Sequence, residues 1–255
     1  MPKVYIHPGH GGNDPGAIGN GMRESDINLE VALRLEVILT EIGIETRLSR
    51  RTDVQINNQR IVIDANSWGA ECYIDIHCNA FHLDTANGYE TFSPAQHTAF
   101  RDAMHHAFLD AITIRDRGAK VDSQLLPGAR ERLRGVNCPS CLPELAFITA
   151  NPQHFPDVNI LRNQRQDMAQ ALANGIFDYF GVDDMTQTRF NEMMAEYLRQ
   201  QGQLAPDQTL GTAARADFER AVTNRITDGT RPRQPITREQ AAIMVQRGVD
   251  LARLQ

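Results

Sequence analysis

The stretch IHPGHGGNDPGAIGNGMRE, residues 6–24 of 255, contains six glycines, two prolines and two histidines. A simple connection does not need this much backbone freedom, which indicates that other groups come close to the main chain here. The stretch begins as the apolar run KVYIH ends, which predicts a strand. An amphipathic segment follows it. Its position between a strand and a helix therefore predicts a functional loop at one edge of an α/β sheet, with His10 and Glu24 as its polar groups.

Composition indicates an ordinary globular protein, with 41% hydrophobic and 23% charged residues. A net charge of -6 gives no general case for nucleic-acid binding. There is no apolar run of eighteen residues, so no transmembrane segment is predicted. The first residues, MPKVYIHPGHGG, lack the charged leader and apolar core of a signal peptide. We therefore expect synthesis in the cytoplasm, with another factor needed for release.

Hydrophobic periodicity predicts alternating strands and helices over residues 1–182. Helices are expected where apolar residues recur every three to four positions, at residues 25–43, 57–69, 95–115 and 158–180. Strands are expected at residues 3–7, 44–50, 72–80, 88–93 and 141–149. Ser25 and Ser93 are the expected N-caps, and Gly43 and Gly181 the expected ends. The pattern predicts an α/β fold, a mixed sheet flanked by helices on both faces. A small, mainly α-helical domain is expected at residues 186–255.

Four ionisable residues from different places in the sequence are expected to converge at the edge of the sheet where the carboxyl ends of the strands lie, because α/β sheets bind ligands there. His10 follows the first strand, His77 lies near the end of the third, and Glu24 precedes the first helix. Two imidazoles and a carboxylate form a common catalytic zinc set that leaves one position for water. Glu144, in the last strand, is the expected carrier of the proton from water to a leaving amine.

Taken singly, these signals are weak, because a histidine after a strand is more often a hydrogen-bonded structural residue. That structural interpretation is given to the remaining histidines, His82, His97, His105, His106 and His154. The four cysteines fit a reducing compartment. The single CxxC, Cys138 and Cys141, is a weak zinc or redox signal, and reduced thiols are expected.

A series of short motifs is much more specific than any single residue. In chain order they are GHGGNDPGAIGNGMRE (9–24), SRRTD (49–53), RIVIDAN (60–66), DIHCNA (75–80), GYETF (88–92) and CPSCLPELAFITAN (138–151). This order resembles the zinc-dependent N-acetylmuramoyl-L-alanine amidases (amidase type 3) of bacterial autolysins and phage endolysins. The resemblance covers roughly residues 1–182 and implies peptidoglycan as the substrate. It also implies zinc ligation by His10, Glu24 and His77, with Glu144 as the catalytic carboxylate.

Two positions depart from the pattern of that family. The family usually has Asp where this chain has His7, and Ser where it has Asp75. The role of His7 stays open between a contact behind the metal ligands and a residue that only closes the strand. Some family members also carry a long inserted helix that covers the metal. The segment between Ser93 and Arg134 is too short to hold one, so we expect an open site.

The C-terminal segment resembles a second family. Within residues 217–248, RITDG followed by ITREQAA is similar to the S-layer-homology type of wall-binding repeat, over one unit or one and a half. The resemblance implies that residues 186–255, with ten Lys and Arg against eight Asp and Glu, bind a cell-wall polymer. The alternative is a helical appendage that only stabilises the catalytic domain or makes it a homodimer.

Together these observations predict a two-domain phage or prophage endolysin. It would cleave the amide between the lactyl group of N-acetylmuramic acid and the L-alanine of the stem peptide, after holin-dependent release to the wall. One alternative is a bacterial lytic or sporulation amidase with the same chemistry. Another is a zinc carboxypeptidase acting on the stem peptide. A third, a wall-binding protein with an inactive site, is disfavoured because all four chemical residues are intact.

Overall fold

Residues 2–182 are described by the computed structural model, and the predicted C-terminal domain at residues 186–255 lies outside them. The described strands are β1 (Lys3–Pro8), β2 (Ile18–Gly19), β3 (Met22–Arg23), β4 (Glu45–Leu48), β5 (Cys72–Asn79), β6 (Tyr89–Ser93), β7 (Asp116–Val121) and β8 (Ser140–Phe147). The helices are α1 (Glu24–Glu41), α2 (Asn58–Trp68), α3 (Thr98–Ala111), α4 (Pro127–Gly135), α5 (Asp157–Asn163) and α6 (Arg165–Phe180).

Six strands form one mixed sheet in the order β4-β1-β5-β8-β6-β7. The strands β4, β1, β5 and β8 are mutually parallel, whereas β6 runs antiparallel to β8 and β7 runs parallel to β6. The short β2 and β3 form an antiparallel hairpin inside the glycine-rich loop. The predicted mixed α/β sheet is confirmed.

Alternation along β5 places helices on both faces of the sheet. Ile74 and Ile76 belong to a core that also contains apolar residues of α1, α3 and α6. Tyr73 points the other way, into a second core with Ile61 of α2 and Leu133 of α4. Because side chains two residues apart in a strand share a face, Asp75 and His77 project to the α2 and α4 side.

The first helix does not use its predicted N-cap. α1 begins at Glu24, one residue before Ser25, and its N-cap Arg23 makes no side-chain hydrogen bond. The backbone N–H groups of Glu24 and Ser25 instead donate to the carbonyls of Ala17 and Pro15. The loop carbonyls therefore accept these first-turn hydrogen bonds, and the buried Ser25 hydroxyl has no hydrogen-bond partner among residues 2–182. The prediction of Ser25 as N-cap is wrong.

Several other boundaries also differ from the sequence prediction. Ser93 ends β6 rather than capping a helix, and a 3-10 turn, Ala95–His97, precedes α3. The predicted helix 158–180 is two helices, because Gln164 has φ -116° and ψ 32°. The helix ends at Gly43 and Gly181 are confirmed, since both glycines have positive φ values, of 84° and 61°.

The short strands β2 and β3, the strand β7 and the helix α4 were not predicted. β7 has no fully buried residue, and α4 is short and mostly polar and buries only Arg132 and Leu133, so both give weak signals in the sequence. Within residues 2–182, every helix is too short or too polar to cross a bilayer.

Candidate active site

The three predicted metal ligands come from three different elements and meet at one point. His10 lies in the loop after β1, Glu24 opens α1, and His77 lies near the end of β5. One ligand atom from each lies within 4.8 Å of the others. Glu24 Oε1 is 3.3 Å from His10 Nε2 and 2.8 Å from His77 Nδ1. The structure therefore brings together the predicted set, and its geometry is consistent with a metal ion.

Glu24 is buried and held by the backbone on both sides. Its Oε2 accepts a hydrogen bond from the N–H of Ala17 at 2.8 Å, and its Oε1 accepts one from the N–H of Cys78 at 3.0 Å. Burial opposes ionisation, but hydrogen bonds from His10 and His77 outweigh it and hold the pKa of Glu24 well below its usual range. The group is thus an anion facing two imidazoles.

Each imidazole also faces a second carboxylate through its outer nitrogen. His10 Nδ1 is 2.8 Å from Asp14 Oδ2, and His77 Nε2 is 3.2 Å from Asp75 Oδ1. Burial opposes protonation of His77, but Asp75 and Glu24 raise its pKa to about 10. Carboxylates behind metal-binding histidines fix the ring orientation and tautomer. Two imidazoles and a carboxylate with such support fit a zinc ion with an open position.

The glycines of the loop are required because the ligand side chains pass directly over its backbone. A Cβ atom at Gly9 would lie 2.4 Å from His77 Cε1. A Cβ atom at Gly16, which has φ 66°, would lie 2.7 Å from both Glu24 Oε2 and His10 Cδ2. At Gly9 and Gly16, the groups that approach the backbone are therefore the predicted ligands, whereas Gly11 and Gly19 face the carbonyl oxygens of Val54 and Ile148.

Arg50 ties this loop to the fold and was missed by the sequence reasoning. Its buried guanidinium donates to the carbonyl oxygens of Pro8 at 2.9 Å, Gly9 at 3.0 Å and Ser25 at 2.9 Å. It thus joins the end of β1 to the start of α1, on either side of His10. The only available signal was its place in the SRRTD motif after β4.

Glu144 lies beside His77 on the neighbouring strand. The two residues are register partners between β5 and β8. Glu144 Oε2 is buried and accepts no hydrogen bond from the described residues. Burial raises the pKa of Glu144 to about 8, against the opposing effect of His77. The carboxyl is therefore close to the pKa that suits proton transfer near neutral pH.

A cavity of about 510 Å³ reaches all four residues, His10, Glu24, His77 and Glu144. Part of its wall comes from the segment before and within α4, where Leu126 is 81% exposed. The region between Ser93 and Arg134 forms α3, β7 and most of α4, and only α4 and the two residues before it line the cavity. A substrate therefore has access to the cluster.

His7 lies behind the cluster rather than in it. Its Nδ1 is 2.6 Å from Ser49 Oγ, and its Nε2 is 3.8 Å from Asp75 Oδ1. Burial lowers the pKa of His7 to about 3, although Asp75 opposes the shift. His7 is therefore neutral at physiological pH, and its contact with Asp75 favours the interpretation of a residue behind the ligands.

The remaining candidates have structural surroundings. His105 Nδ1 is 2.6 Å from Thr91 Oγ1, and His97 Nδ1 is 3.1 Å from Ser140 Oγ. Cys138 and Cys141 are buried free thiols, in agreement with the expected reduced state. Burial raises the pKa of both, so neither is a reactive thiolate at neutral pH.

A family model described as N-acetylmuramoyl-L-alanine amidase matches residues 4–178. This chain belongs to the N-acetylmuramoyl-L-alanine amidase family. The matched range spans β1 to α6 and so contains the whole cluster. The resemblance seen in the motif order is confirmed at the level of the family, and the chain is a peptidoglycan amidase.

Curated relatives and solved structures agree with this membership. The amidase is 33% identical over 190 residues to the sporulation-specific N-acetylmuramoyl-L-alanine amidase of Bacillus subtilis, covering 71% of this chain and 69% of that protein. It is 30% identical over 191 residues to the endolysin of Bacillus phage SPP1, covering 70% and 66%. The structure of the amidase AmiC2 of Nostoc punctiforme matches with a TM-score of 0.65 and 30% identity, over 71% of this chain and 97% of that chain.

Proposed function

We propose that this amidase is zinc-dependent, with His10, Glu24 and His77 as ligands and Glu144 as general base and acid. Its substrate bond is the amide between the lactyl group of N-acetylmuramic acid and L-alanine. The observation that carries the proposal is the convergence of the three ligand atoms within 4.8 Å, next to a buried carboxyl with an unpartnered oxygen. A zinc ion at these donors supplies Lewis-acid polarisation of a carbonyl and acidification of water.

The residues around the donors prepare them for this role. Backbone hydrogen bonds from Ala17 and Cys78 hold Glu24 in one orientation. Asp14 and Asp75 face the outer nitrogens of the two imidazoles, which leaves the inner nitrogens directed at Glu24. Such preorganisation matters because a misplaced ligand or base costs rate even when it is present.

Glu144 moves the proton that the hydrolysis requires. A water adds to the carbonyl carbon, and Glu144 takes one proton from it. The carbon–nitrogen bond then breaks, and Glu144 delivers that proton to the alanine nitrogen, which leaves as an amine. The products are a lactyl carboxylic acid on the sugar, which releases its remaining proton to solvent, and a stem peptide with a free amine. A pKa raised to about 8 by burial suits a group that must both accept and release a proton.

Metal analysis and product analysis together test the proposal. Purified protein is expected to contain about one zinc per chain, to lose activity in chelator and to regain it with Zn²⁺. His10→Ala is expected to bind zinc poorly. Full activity of metal-free protein would contradict zinc dependence. Mass spectrometry of wall digests is expected to show free lactyl ends, whereas released single amino acids would indicate the carboxypeptidase alternative.

For the biological role, we propose an endolysin with a C-terminal wall-binding module at residues 186–255. The similarity to the endolysin of Bacillus phage SPP1 and the RITDG and ITREQAA motifs support it. The second candidate is a sporulation amidase, favoured by the 33% identity to the sporulation-specific enzyme. A holin gene next to this gene would support the endolysin, whereas expression confined to the sporulating mother cell would contradict it.

A further inference from the structure

One nitrogen of His77 has two competing neighbours. His77 Nε2 lies 3.2 Å from Asp75 Oδ1, which can only accept a hydrogen bond. It also lies 3.2 Å from Arg132 Nη2, which can only donate one. A protonated Nε2 suits Asp75 and leaves the inner Nδ1 of a neutral ring with a free lone pair. An unprotonated Nε2 suits Arg132 and puts the proton on Nδ1, which then cannot bind a metal.

The surroundings of Asp75 favour the first arrangement. Asp75 is completely buried, and its Oδ2 accepts a hydrogen bond from Arg132 Nε at 2.8 Å. Within residues 2–182 its Oδ1 makes no hydrogen bond of good geometry, and the imidazole nitrogens near it are His77 Nε2 at 3.2 Å and His7 Nε2, which is too distant at 3.8 Å. A buried carboxylate oxygen left without a donor is costly, so the N–H of His77 is the group that stabilises it.

Arg132 has two other partners besides His77. Its Nη1 donates to Asn58 Oδ1 at 2.9 Å, and its Nε donates to Asp75. The guanidinium, held between α2 and β5, therefore fixes the plane of the Asp75 carboxylate. The order of contacts runs from Asn58 through Arg132 and Asp75 to His77.

We propose that Asp75 is a positioning residue that holds His77 as the tautomer with a proton on Nε2, and that Arg132 fixes Asp75 in the orientation this requires. The inference rests on the proposed zinc function, because the tautomer matters only if Nδ1 binds the metal. The inference gives a role to Asp75, one of the two positions at which the chain departs from the usual pattern of its family.

The substitution Asp75→Asn tests this directly, because it should reverse the hydrogen bond. Arg132 Nε continues to donate, so the amide oxygen of Asn must turn towards Arg132. The amide NH₂ then faces His77 Nε2, which has to accept, and the ring proton moves to Nδ1. Changes behind a metal ligand typically cost about 10–100-fold in affinity, and we expect a loss of zinc affinity of this size.

Asp14→Asn is the matched control, since Asp14 plays the corresponding part behind His10. Asp14 is 44% exposed, whereas Asp75 is fully buried. Water can replace the lost acceptor at Asp14, so its variant is expected to lose much less zinc affinity. Zinc affinity is measured by competition with a chromophoric chelator, which needs no enzyme activity.

The tautomer is read separately by long-range ¹H–¹⁵N correlation on zinc-loaded wild-type protein labelled at histidine. We expect His77 to carry its proton on Nε2. A proton on Nδ1 in the wild type would overturn the inference even if Asp75→Asn fails to fold. So would a folded Asp75→Asn protein with zinc affinity within twofold of the wild type. A wild-type protein that binds no zinc would overturn the proposed zinc function together with this inference. A wild-type protein that binds zinc but gives either of the two results above would overturn only the inference about Asp75.

Discussion

His77 and Glu144 are register partners on the adjacent parallel strands β5 and β8. This pairing places a predicted metal ligand and the predicted proton carrier side by side at one edge of the sheet. A slip of one residue would turn Glu144 to the opposite face, away from the cluster. The register between these two strands therefore sets the distance between the two predicted groups.

Glu144→Gln is expected to lower the rate of amide hydrolysis by about 10²–10⁴-fold. The amide keeps the size of the side chain but cannot take a proton from water. Zinc content and the thermal midpoint should stay close to those of the wild type. Hydrolysis of soluble muropeptides, followed by mass spectrometry, measures the rate. A variant within threefold of the wild type would make Glu144 a structural residue.

Glu90→Gln is the matched control for that experiment. Glu90 is also buried and is the cross-strand partner of Glu144 on β6. Its carboxylate accepts hydrogen bonds from the side chains of Asn79, Arg117 and Lys120. We expect Glu90→Gln to lower stability but to reduce activity much less than Glu144→Gln does. That difference would show that the effect at Glu144 is not the general effect of removing a buried carboxylate.

Gly16→Ala and Gly21→Ala should separate backbone strain from obstruction of the site. Both glycines have similar positive φ values, 66° and 75°. Each substitution should cost about 1–2 kcal/mol of folding stability. Only at Gly16 would the new Cβ meet ligand side chains, at 2.7 Å from Glu24 and His10, whereas the space at Gly21 is open.

We therefore expect both variants to melt earlier and only Gly16→Ala to lose zinc affinity. Differential scanning fluorimetry and zinc competition on the same preparations provide the two readouts. Equal zinc affinity in the two variants would show that the loop glycines serve the turn alone.

In zinc-free protein, His7 is expected to lower the folding stability as the pH falls below about 6.5, whereas the raised pKa of Glu144 acts in the opposite direction. Burial lowers the pKa of His7 from 6.5 to about 3 in the folded state. Between these pH values the unfolded chain binds more protons at this position than the folded protein does. The contribution of His7 to the free energy of unfolding is therefore complete above pH 6.5 and is lost as the pH falls towards 3. From pH 7 to pH 5 the expected loss from this one residue is about 2 kcal/mol.

His7→Asn removes the titrating group while its amide can keep the contact with Ser49. Guanidinium unfolding at pH 7 and pH 5 should therefore show that lowering the pH changes the free energy of unfolding of the variant less unfavourably than that of the wild type, by about 2 kcal/mol. Wild-type and variant proteins with the same pH dependence would mean that the fold does not lower the pKa of His7.

The sequence allowed the four chemical residues to be placed, because loop motifs and strand ends are local patterns. His10 and His77 each follow or end a clear apolar strand, and the sheet brings such ends together. The residues that support them were not predictable in the same way. Arg132 lies on α4, a short and mostly polar helix, and contacts Asp75, which is 57 positions away in the sequence. Such a contact depends on tertiary packing alone.

Ser25 is a case in which the local sequence led to a wrong prediction, because tertiary contacts take the place of the expected N-cap. Serine is a favoured N-cap, but the loop carbonyls of Pro15 and Ala17 already accept the first-turn N–H groups. We expect Ser25→Ala to be neutral or slightly stabilising in chemical denaturation, because the buried hydroxyl has no hydrogen-bond partner in the described part of the chain. A cost near 1 kcal/mol, typical of a lost cap, would contradict this placement.

Removal of residues 183–255 is expected to spare the chemistry and impair lysis. Residues 1–182 contain His10, Glu24, His77 and Glu144, and they end with α6 and the left-handed Gly181. The truncated protein should therefore cleave soluble muropeptides about as fast as the full chain. Intact cells should be lysed much more slowly, because a tethered binder raises the local concentration of enzyme at the wall.

A fluorescent fusion of residues 186–255 tests the other half of this prediction. The segment carries ten Lys and Arg against eight Asp and Glu, too small an excess for charge alone to give selectivity. We expect the fusion to label cells of the host species and few others, and salt to weaken this labelling only in part. Two results together would contradict this prediction: the fusion stays in solution, and on a sizing column the full chain is a dimer whereas the truncated protein is a monomer. The segment would then be an assembly module, and wall recognition would have to lie in the catalytic domain.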